Sequence, residues 1–75
     1  MRVTYDKSVD AAYIELRDTS AGDCVHTEYA TRDDQGMGGS INLDFDIDGK
    51  LIGIEVMVAS MVLPEQLLAE AEIIG

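Results

Sequence analysis

The sequence predicts an α+β domain spanning residues 1–75, with a mainly antiparallel sheet of four or five strands in a β-meander and one C-terminal helix packed on its apolar face. Three observations predict it. Apolar and polar residues alternate with the two-residue period of strands in several stretches. Asp48-Gly49 separates two of these stretches, as in a tight hairpin. Pro64-Glu65 is typical of the first turn of a helix.

Three short strands are predicted in the N-terminal half. The first covers residues 2–5 and ends in a turn over residues 6–10, which is rich in side chains that bond to their own backbone. The second strand covers residues 12–17 and the third covers residues 24–29. Residues 30–40 follow with charge and glycine but no periodicity, so they predict the longest and most mobile loop.

The strongest alternation flanks the Asp-Gly turn and predicts a β-hairpin over residues 41–57. A two-residue loop places apolar residues opposite each other on one face and mostly polar residues on the other. The predicted apolar pairs are Ile41 with Val56, Leu43 with Ile54, and Phe45 with Ile52. The predicted pairs on the other face are Asn42 with Glu55, Asp44 with Gly53, and Asp46 with Leu51.

A helix is predicted from about Pro64 to Ile73, because its apolar residues follow the spacing of one helical face. The residues on this face are Leu63, Leu67, Leu68, Ala71 and Ile74. The C-terminal region also has more apolar side chains than one helix on one sheet needs to bury, namely Met57, Met61, Ile73 and Ile74. We therefore expect a homo-oligomer, most simply a homodimer, in which a second chain completes the core.

Charge excludes several classes of partner. The chain has 15 acidic and 5 basic residues and a formal net charge of -10, whereas nucleic-acid binding depends on Lys and Arg. We expect no nucleic-acid partner and no binding to anionic membranes. The longest uncharged run, residues 56–64, is far shorter than the roughly 20 residues that a membrane span requires. A lone cysteine and the absence of a signal-peptide pattern predict a cytoplasmic location.

The hairpin also satisfies the written pattern of an EF-hand calcium loop, with Asp44, Asp46, Asp48, Gly49 and a final Glu55. That loop requires flanking helices, whereas the flanking residues here have the period of strands. The hairpin explains the glycine without a metal. A weak cation site formed by Asp44, Asp46 and Glu55 on the acidic face of the hairpin stays open as an alternative.

Cys24, His26 and Glu28 alternate along the third predicted strand, so their side chains would share a face and could ligate a transition metal. A fourth ligand would have to come from elsewhere, and isolated Cys and His residues are more often incidental. The glycines of residues 36–40 precede a strand rather than a helix, so they do not predict a phosphate-binding loop. We expect no cofactor and identify no catalytic residue.

Two blocks of residues carry a family resemblance. They are Tyr5, Asp6, Asp10, Ala11, Tyr13, Ile14 and Leu16 in the first block, and Ile41, Asn42, Asp44, Asp46, Gly49, Gly53, Ile54, Glu55, Ala59 and Ser60 in the second. In this order they resemble the small prokaryotic domain-of-unknown-function family 2283. The resemblance implies no established activity and no catalytic residue. Some members look like one half of a two-gene toxin and antitoxin pair.

These residues can also be interpreted physically. Aspartate side chains would fix the turn over residues 6–10. Gly53 lies opposite Asp44 and, because it lacks a side chain, would let another group approach closely. Glu55 is an acid on a central strand and needs a partner, which would be Asn42 directly opposite or a basic residue of a second subunit.

The sequence therefore predicts a non-enzymatic protein-interaction module. Its most concrete form is an antitoxin-like protein that neutralises a basic partner, because complementary charge speeds association. The alternative is a small-ligand or metal-binding protein that uses the acidic face of the hairpin, or Cys24 and His26.

Overall fold

The computed structural model describes residues 1–31 and 39–75. The described residues form six strands and two short helices. In chain order these are β1 (Arg2–Asp6), β2 (Ala11–Glu15), β3 (His26–Thr31), β4 (Ser40–Phe45), β5 (Leu51–Met57), α1 (Ala59–Val62), α2 (Glu65–Glu70) and β6 (Glu72–Ile73). The predicted α+β class is therefore confirmed.

The strands form one mixed sheet in the order β3-β4-β5-β2-β1-β6. All neighbours are antiparallel except β1 and β6, which are parallel. The predicted meander is wrong, because β2 pairs with β5 rather than with β3. This pairing places Ala12 beside Val56 and Ile14 beside Ile54, so the most apolar strand lies at the centre of the sheet, where both neighbours help to bury it.

The third strand begins two residues later than predicted. β3 starts at His26, so Cys24 precedes the strand, and it continues to Thr31. Ala30 and Thr31 therefore belong to a strand rather than to the predicted loop over residues 30–40, and β4 begins at Ser40. The central part of that predicted loop, residues 32–38, lies outside the described residues.

The β4–β5 hairpin is confirmed, but its loop is one residue longer than predicted. Ile41 faces Val56 and Leu43 faces Ile54 as expected, whereas Phe45 faces Leu51 rather than Ile52 because the register shifts after Asp44. The predicted pairing of Asp46 with Leu51 is also wrong, since the Asp46 N–H bonds to the Lys50 carbonyl at 2.9 Å. Gly49 has a φ of 77°, which suits a three-residue loop that ends in a left-handed residue.

The single predicted C-terminal helix is replaced by two shorter ones. Pro64 is the N-cap of α2, close to the predicted start, but the helix ends at Glu70, and Ile73 lies in the extended β6. There the Ile74 N–H bonds to the Tyr5 carbonyl at 3.0 Å, so pairing with β1 takes the place of further helical turns. In the described part of the chain, neither helix has the length and apolar character needed to span a membrane.

Both helices pack on one face of the sheet, which we call the covered face. Its core consists of Ala12, Val56 and Ala59, which are at most 3% exposed. Partly buried apolar residues surround this core, namely Tyr5, Ile54, Val62, Leu63 and Leu68. Helix packing on the apolar side of the sheet is therefore confirmed, although Leu67, Ala71 and Ile74 of the predicted helical face are outside this cluster.

Candidate functional site

The opposite face of the sheet, which we call the open face, carries mostly polar side chains. Strand pairing places these side chains in two adjacent rows across the sheet. The first row is Tyr29, Asn42, Glu55, Tyr13 and Thr4, and the second is Thr27, Asp44, Gly53, Glu15 and Arg2. The open face therefore contains most of the residues that were singled out from the hairpin sequence.

Tyr13 reaches across the central strand to Asp44. Its phenol hydroxyl donates to Asp44 Oδ2 at 2.8 Å, and the hydroxyl of Thr27 donates to Asp44 Oδ1 at 2.9 Å. The Tyr13 ring passes over Gly53, where an added Cβ would overlap the ring. The expected close approach at Gly53 is therefore confirmed. Partial burial and the bond to Asp44 raise the pKa of the Tyr13 phenol above its ordinary value.

Asn42 is the partner of Glu55. The side-chain amide of Asn42 donates to Glu55 Oε1 at 2.9 Å across the β4–β5 ladder. Asn42 is only 9% exposed, whereas Glu55 is exposed. The remaining Oδ1 atom of Asn42 is buried and accepts no hydrogen bond from the described residues. The prediction that Asn42 serves as the partner of Glu55 is therefore confirmed, but the pair contains one unsatisfied acceptor.

Asp10 connects the first hairpin to α1. Its backbone is left-handed, with a φ of 53°, and its carboxylate accepts from the Tyr5 hydroxyl at 2.7 Å. It also accepts from the backbone N–H of Ser60 at 2.9 Å and from the Ser60 hydroxyl at 2.6 Å. The Ser60 hydroxyl, followed by Tyr5 and the Ser60 N–H, lowers the pKa of Asp10. Asp10 therefore stabilises the start of a helix that lies 50 residues away in sequence.

Asp6 and Asp46 fix turns with their own side chains. Asp6 Oδ1 accepts from the N–H of Ser8 at 3.0 Å and from its hydroxyl. Asp46 Oδ1 accepts from the N–H groups of Asp48 and Lys50, both at 3.0 Å. The Lys50 N–H, with the guanidinium of Arg17 as a further cause, lowers the pKa of Asp46. The expectation that aspartates fix turns is confirmed at Asp6.

The residues of the EF-hand pattern do not surround a common point. Asp44 is bonded to Tyr13 and Thr27, Asp46 lies at the turn, and Glu55 is bonded to Asn42. Within residues 1–31 and 39–75, no group of three or more His, Cys, Asp or Glu residues is placed to hold a metal ion. The geometry of the described chain therefore gives no support to a cation site on this face.

Cys24, His26 and Glu28 are only partly brought together. His26 Nε2 lies 2.8 Å from Glu28 Oε1, and both side chains are exposed. Cys24 is also exposed, but its Sγ contacts the carbonyl of His26 and the hydroxyl of Thr27, each at 3.6 Å. The thiol and the imidazole are therefore not paired as a nucleophile and a base would be.

Two residues of this network were missed from the sequence. Thr27 supplies the second donor to Asp44, and Arg17 forms ion pairs with Asp23 at 3.4 Å and Asp46 at 3.3 Å. The contacts to Asp44 and Asp46 depend on how strands distant in sequence pair with each other. The alternation of residues 24–29 placed Thr27 on a face, but nothing in the sequence identified the strand beside it.

A shallow groove lies between α2 and β1, on the covered side of the sheet. It has a volume of about 410 Å³ and is lined mainly by apolar atoms of Tyr5, Leu68, Ala69 and Ile73, with Lys7 and Glu65 at its rim. It lacks a group of converging polar side chains that would suggest catalysis.

Comparison with known proteins identifies one family. The family model described as "Protein of unknown function (DUF2283)" matches residues 2–60 of the chain. Neither a curated protein nor a solved structure matches. The match covers both blocks of the resemblance, including Tyr5, Asp10, Asp44, Gly53 and Ser60, which the fold joins through the contacts described above. The chain belongs to the DUF2283 family of proteins of unknown function.

Proposed function

We propose that this protein is a non-enzymatic interaction module that binds a basic protein through the open face of its sheet. The observation that carries the proposal is that two carboxylates on this face, Glu15 and Glu55, form no ion pair with any described residue. Arg2 lies opposite Glu15 but pairs with Glu72, and Arg17 pairs with Asp23 and Asp46.

Electrostatics favour a cationic partner at this face. Glu55 lies directly beside Tyr13 on β2, and Glu15 lies one row away beside Gly53. Carboxylates held on the same face repel each other, and the net charge of -10 adds a longer-range field of the same sign. Lys or Arg side chains of a partner relieve this repulsion and are steered toward the face before contact.

The buried amide of Asn42 is a second reason for a partner at this position. Its Oδ1 atom accepts no hydrogen bond from the described residues, and such a buried acceptor costs about 1–3 kcal/mol. The neighbouring Glu55 is exposed and within hydrogen-bond distance of the same amide. A cationic donor that binds Glu55 can supply the missing bond after a small movement of the two side chains.

The open face is also accessible and carries side chains typical of a binding surface. Neither described helix packs on it. Tyr29, at one end of the first row, is 76% exposed. Tyr is enriched among residues that contribute most to protein interfaces, and its ring can stack on a guanidinium group. In its most concrete form, the partner is a basic protein that this chain neutralises, as an antitoxin does.

The test is a pull-down from host extract with two variants of equal charge. Glu15→Gln with Glu55→Gln removes the unpaired carboxylates of the open face. The matched control is Glu65→Gln with Glu70→Gln, which removes the same charge from exposed positions on α2. We expect the wild type and the control to retain a basic protein at low salt, and the open-face variant to lose it.

Binding should weaken at high salt, because the Debye length falls to about 3 Å at 1 M. Thermal unfolding of both variants confirms that each remains folded. Equal loss of the basic protein by both variants would show that net charge alone attracts it, and recovery of no basic protein by the wild type would exclude the proposal.

A further inference from the structure

The outer edge of β3 has no partner strand in the described structure. β3 is six residues long and stands at one end of the sheet order, whereas β6 at the other end has only two residues. An edge strand exposes N–H and C=O groups that can pair with another chain, and proteins usually protect such edges with charge, proline or short length. The edge of β3 is therefore the longer and more available of the two.

The side chains of this edge are exposed on both faces. His26 and Glu28 point to the covered side, where their side chains are 60% and 63% exposed. Thr27 and Tyr29 point to the open face, and Tyr29 is 76% exposed. Val25, just before the strand, is 54% exposed. An imidazole, a carboxylate and two large apolar groups thus alternate around Thr27.

We propose that two copies of this chain pair β3 with β3 in antiparallel fashion, with the two-fold axis at Thr27. In this register His26 of each copy lies opposite Glu28 of the other, so the imidazole–carboxylate contact that each chain makes within itself at 2.8 Å can instead form twice between the chains. Val25 lies opposite Tyr29 twice, which gives two pairs of a β-branched with an aromatic residue. Thr27 lies opposite its own copy. Each of these cross-strand combinations stabilises antiparallel sheets.

Neighbouring registers are worse for identifiable reasons. Moving the axis to Glu28 places two glutamates directly opposite each other, and moving it to His26 does the same with two histidines. Placing the axis between two residues brings side chains of the covered face opposite those of the open face. The pairing of each imidazole with a carboxylate therefore selects Thr27 as the centre, and the product is one continuous sheet across two subunits.

This interface shares Tyr29 with the surface proposed to bind a basic partner, but it does not involve Glu15 or Glu55. Self-pairing uses the edge of β3, whereas the proposed partner binds across the open face at Glu15 and Glu55. Either proposal can fail while the other holds, because the experiments change different residues and measure different species.

A disulfide probe tests the register directly. In a Cys24→Ser background, Thr27→Cys places two thiols opposite each other at the axis, and mild oxidation should yield a covalent dimer. The matched control is Ala30→Cys in the same background. Residue 30 lies on the same strand, but in this register it is opposite residue 24 of the other copy, six residues away from the other introduced thiol. We expect little covalent dimer from the control. Equal cross-linking of both variants, or none from Thr27→Cys, would overturn the proposed register.

A charge exchange tests the same interface without a new thiol. Glu28→Lys places lysine opposite His26, and we expect the dimer dissociation constant in sedimentation equilibrium to rise about tenfold or more. The double variant His26→Glu with Glu28→Lys restores opposite charges and should return the constant to within about threefold of wild type. Circular dichroism checks that both variants remain folded. A monomeric wild type, or a double variant as weak as Glu28→Lys alone, would exclude the proposal.

Discussion

The two faces of the sheet are stabilised by different interactions. On the covered face, Val56 and Ala59 are 1% and 0% exposed and pack beneath the helices, so burial of apolar area is the main contribution. On the open face, Tyr13 bonds to Asp44 and Asn42 bonds to Glu55 across neighbouring strands. The covered face tolerates any well-packed apolar side chain, whereas the open face requires particular pairs of polar groups.

This difference explains much of the family pattern. Many of its polar residues bond to a partner that the fold brings close, such as Asp10 to Tyr5 and Ser60, and Asp44 to Tyr13. Because these contacts fix turns and register, the pattern identifies a fold more directly than it identifies a chemistry. The carboxylate of Glu15 is outside the pattern, so a function of the open face depends partly on residues that the family resemblance does not mark.

The largest expected effect is on the covered face. Val56→Ala removes two buried carbon atoms from the core and should lower the free energy of unfolding by about 2 kcal/mol. For a domain of this size, the melting temperature should then fall by roughly 8–16 °C. Ile47→Ala, at an 81% exposed position of the same hairpin, is the control and should change the melting temperature little. Equal effects at both positions would contradict the assignment of the core.

A somewhat smaller effect is expected where the open face is most tightly packed. Gly53→Ala adds a Cβ that overlaps the Tyr13 ring, so the ring must move and its bond to Asp44 weakens. We expect a loss of about 1–2 kcal/mol in the free energy of unfolding, measured by urea denaturation.

The control for this variant is a double-mutant cycle with Tyr13→Ala. Once the ring is removed, Gly53→Ala should cost much less, and the coupling between the two positions should be about 1 kcal/mol or more. Additive effects would show that the cost of the added methyl group does not arise from the approach of Tyr13.

The parts of the fold that could be predicted are those that depend on residues close together in the sequence. The hairpin over residues 41–57 follows from alternation and a local turn, since both act between neighbours in the sequence. The position of β2 beside β5 depends on contacts between distant residues, such as Ala12 with Val56, which alternation does not specify. The three-residue loop was missed because it is accompanied by a hydrogen bond from the Lys50 N–H to the Asp46 side chain. The Asp-Gly pair alone does not predict that bond.

The candidate site was predictable to a similar extent. Cross-strand pairing in the predicted hairpin identified Asn42 as the partner of Glu55 and Gly53 as a site where another group approaches closely. The residue that approaches Gly53 could not be identified, because Tyr13 lies on a strand whose neighbour was assigned incorrectly. Ser60 belongs to the family pattern, but the sequence did not predict its role. Its hydrogen bond to Asp10 spans 50 residues and depends on the left-handed backbone of Asp10.

The smallest effect is expected at Asp10, which links the sheet to α1, and it should depend on pH. The folded-state pKa of Asp10 lies below its ordinary value of 3.8. Its contribution to stability is therefore present above the unfolded pKa and is lost as the pH falls through the folded pKa. Asp10→Asn should be less stable than wild type at neutral pH, because an amide cannot replace both acceptor oxygens.

The difference in the free energy of unfolding between wild type and Asp10→Asn should shrink as the pH falls below about 4, because protonation of Asp10 then begins to remove the advantage of the wild type. Urea midpoints measured from neutral pH into this acidic range provide the test. Asp18→Asn, an exposed position whose side chain forms no hydrogen bond with the described residues, is the control and should show no such convergence. A deficit for Asp10→Asn that stays constant in acid would show that the lost stability does not come from the charge of the carboxylate.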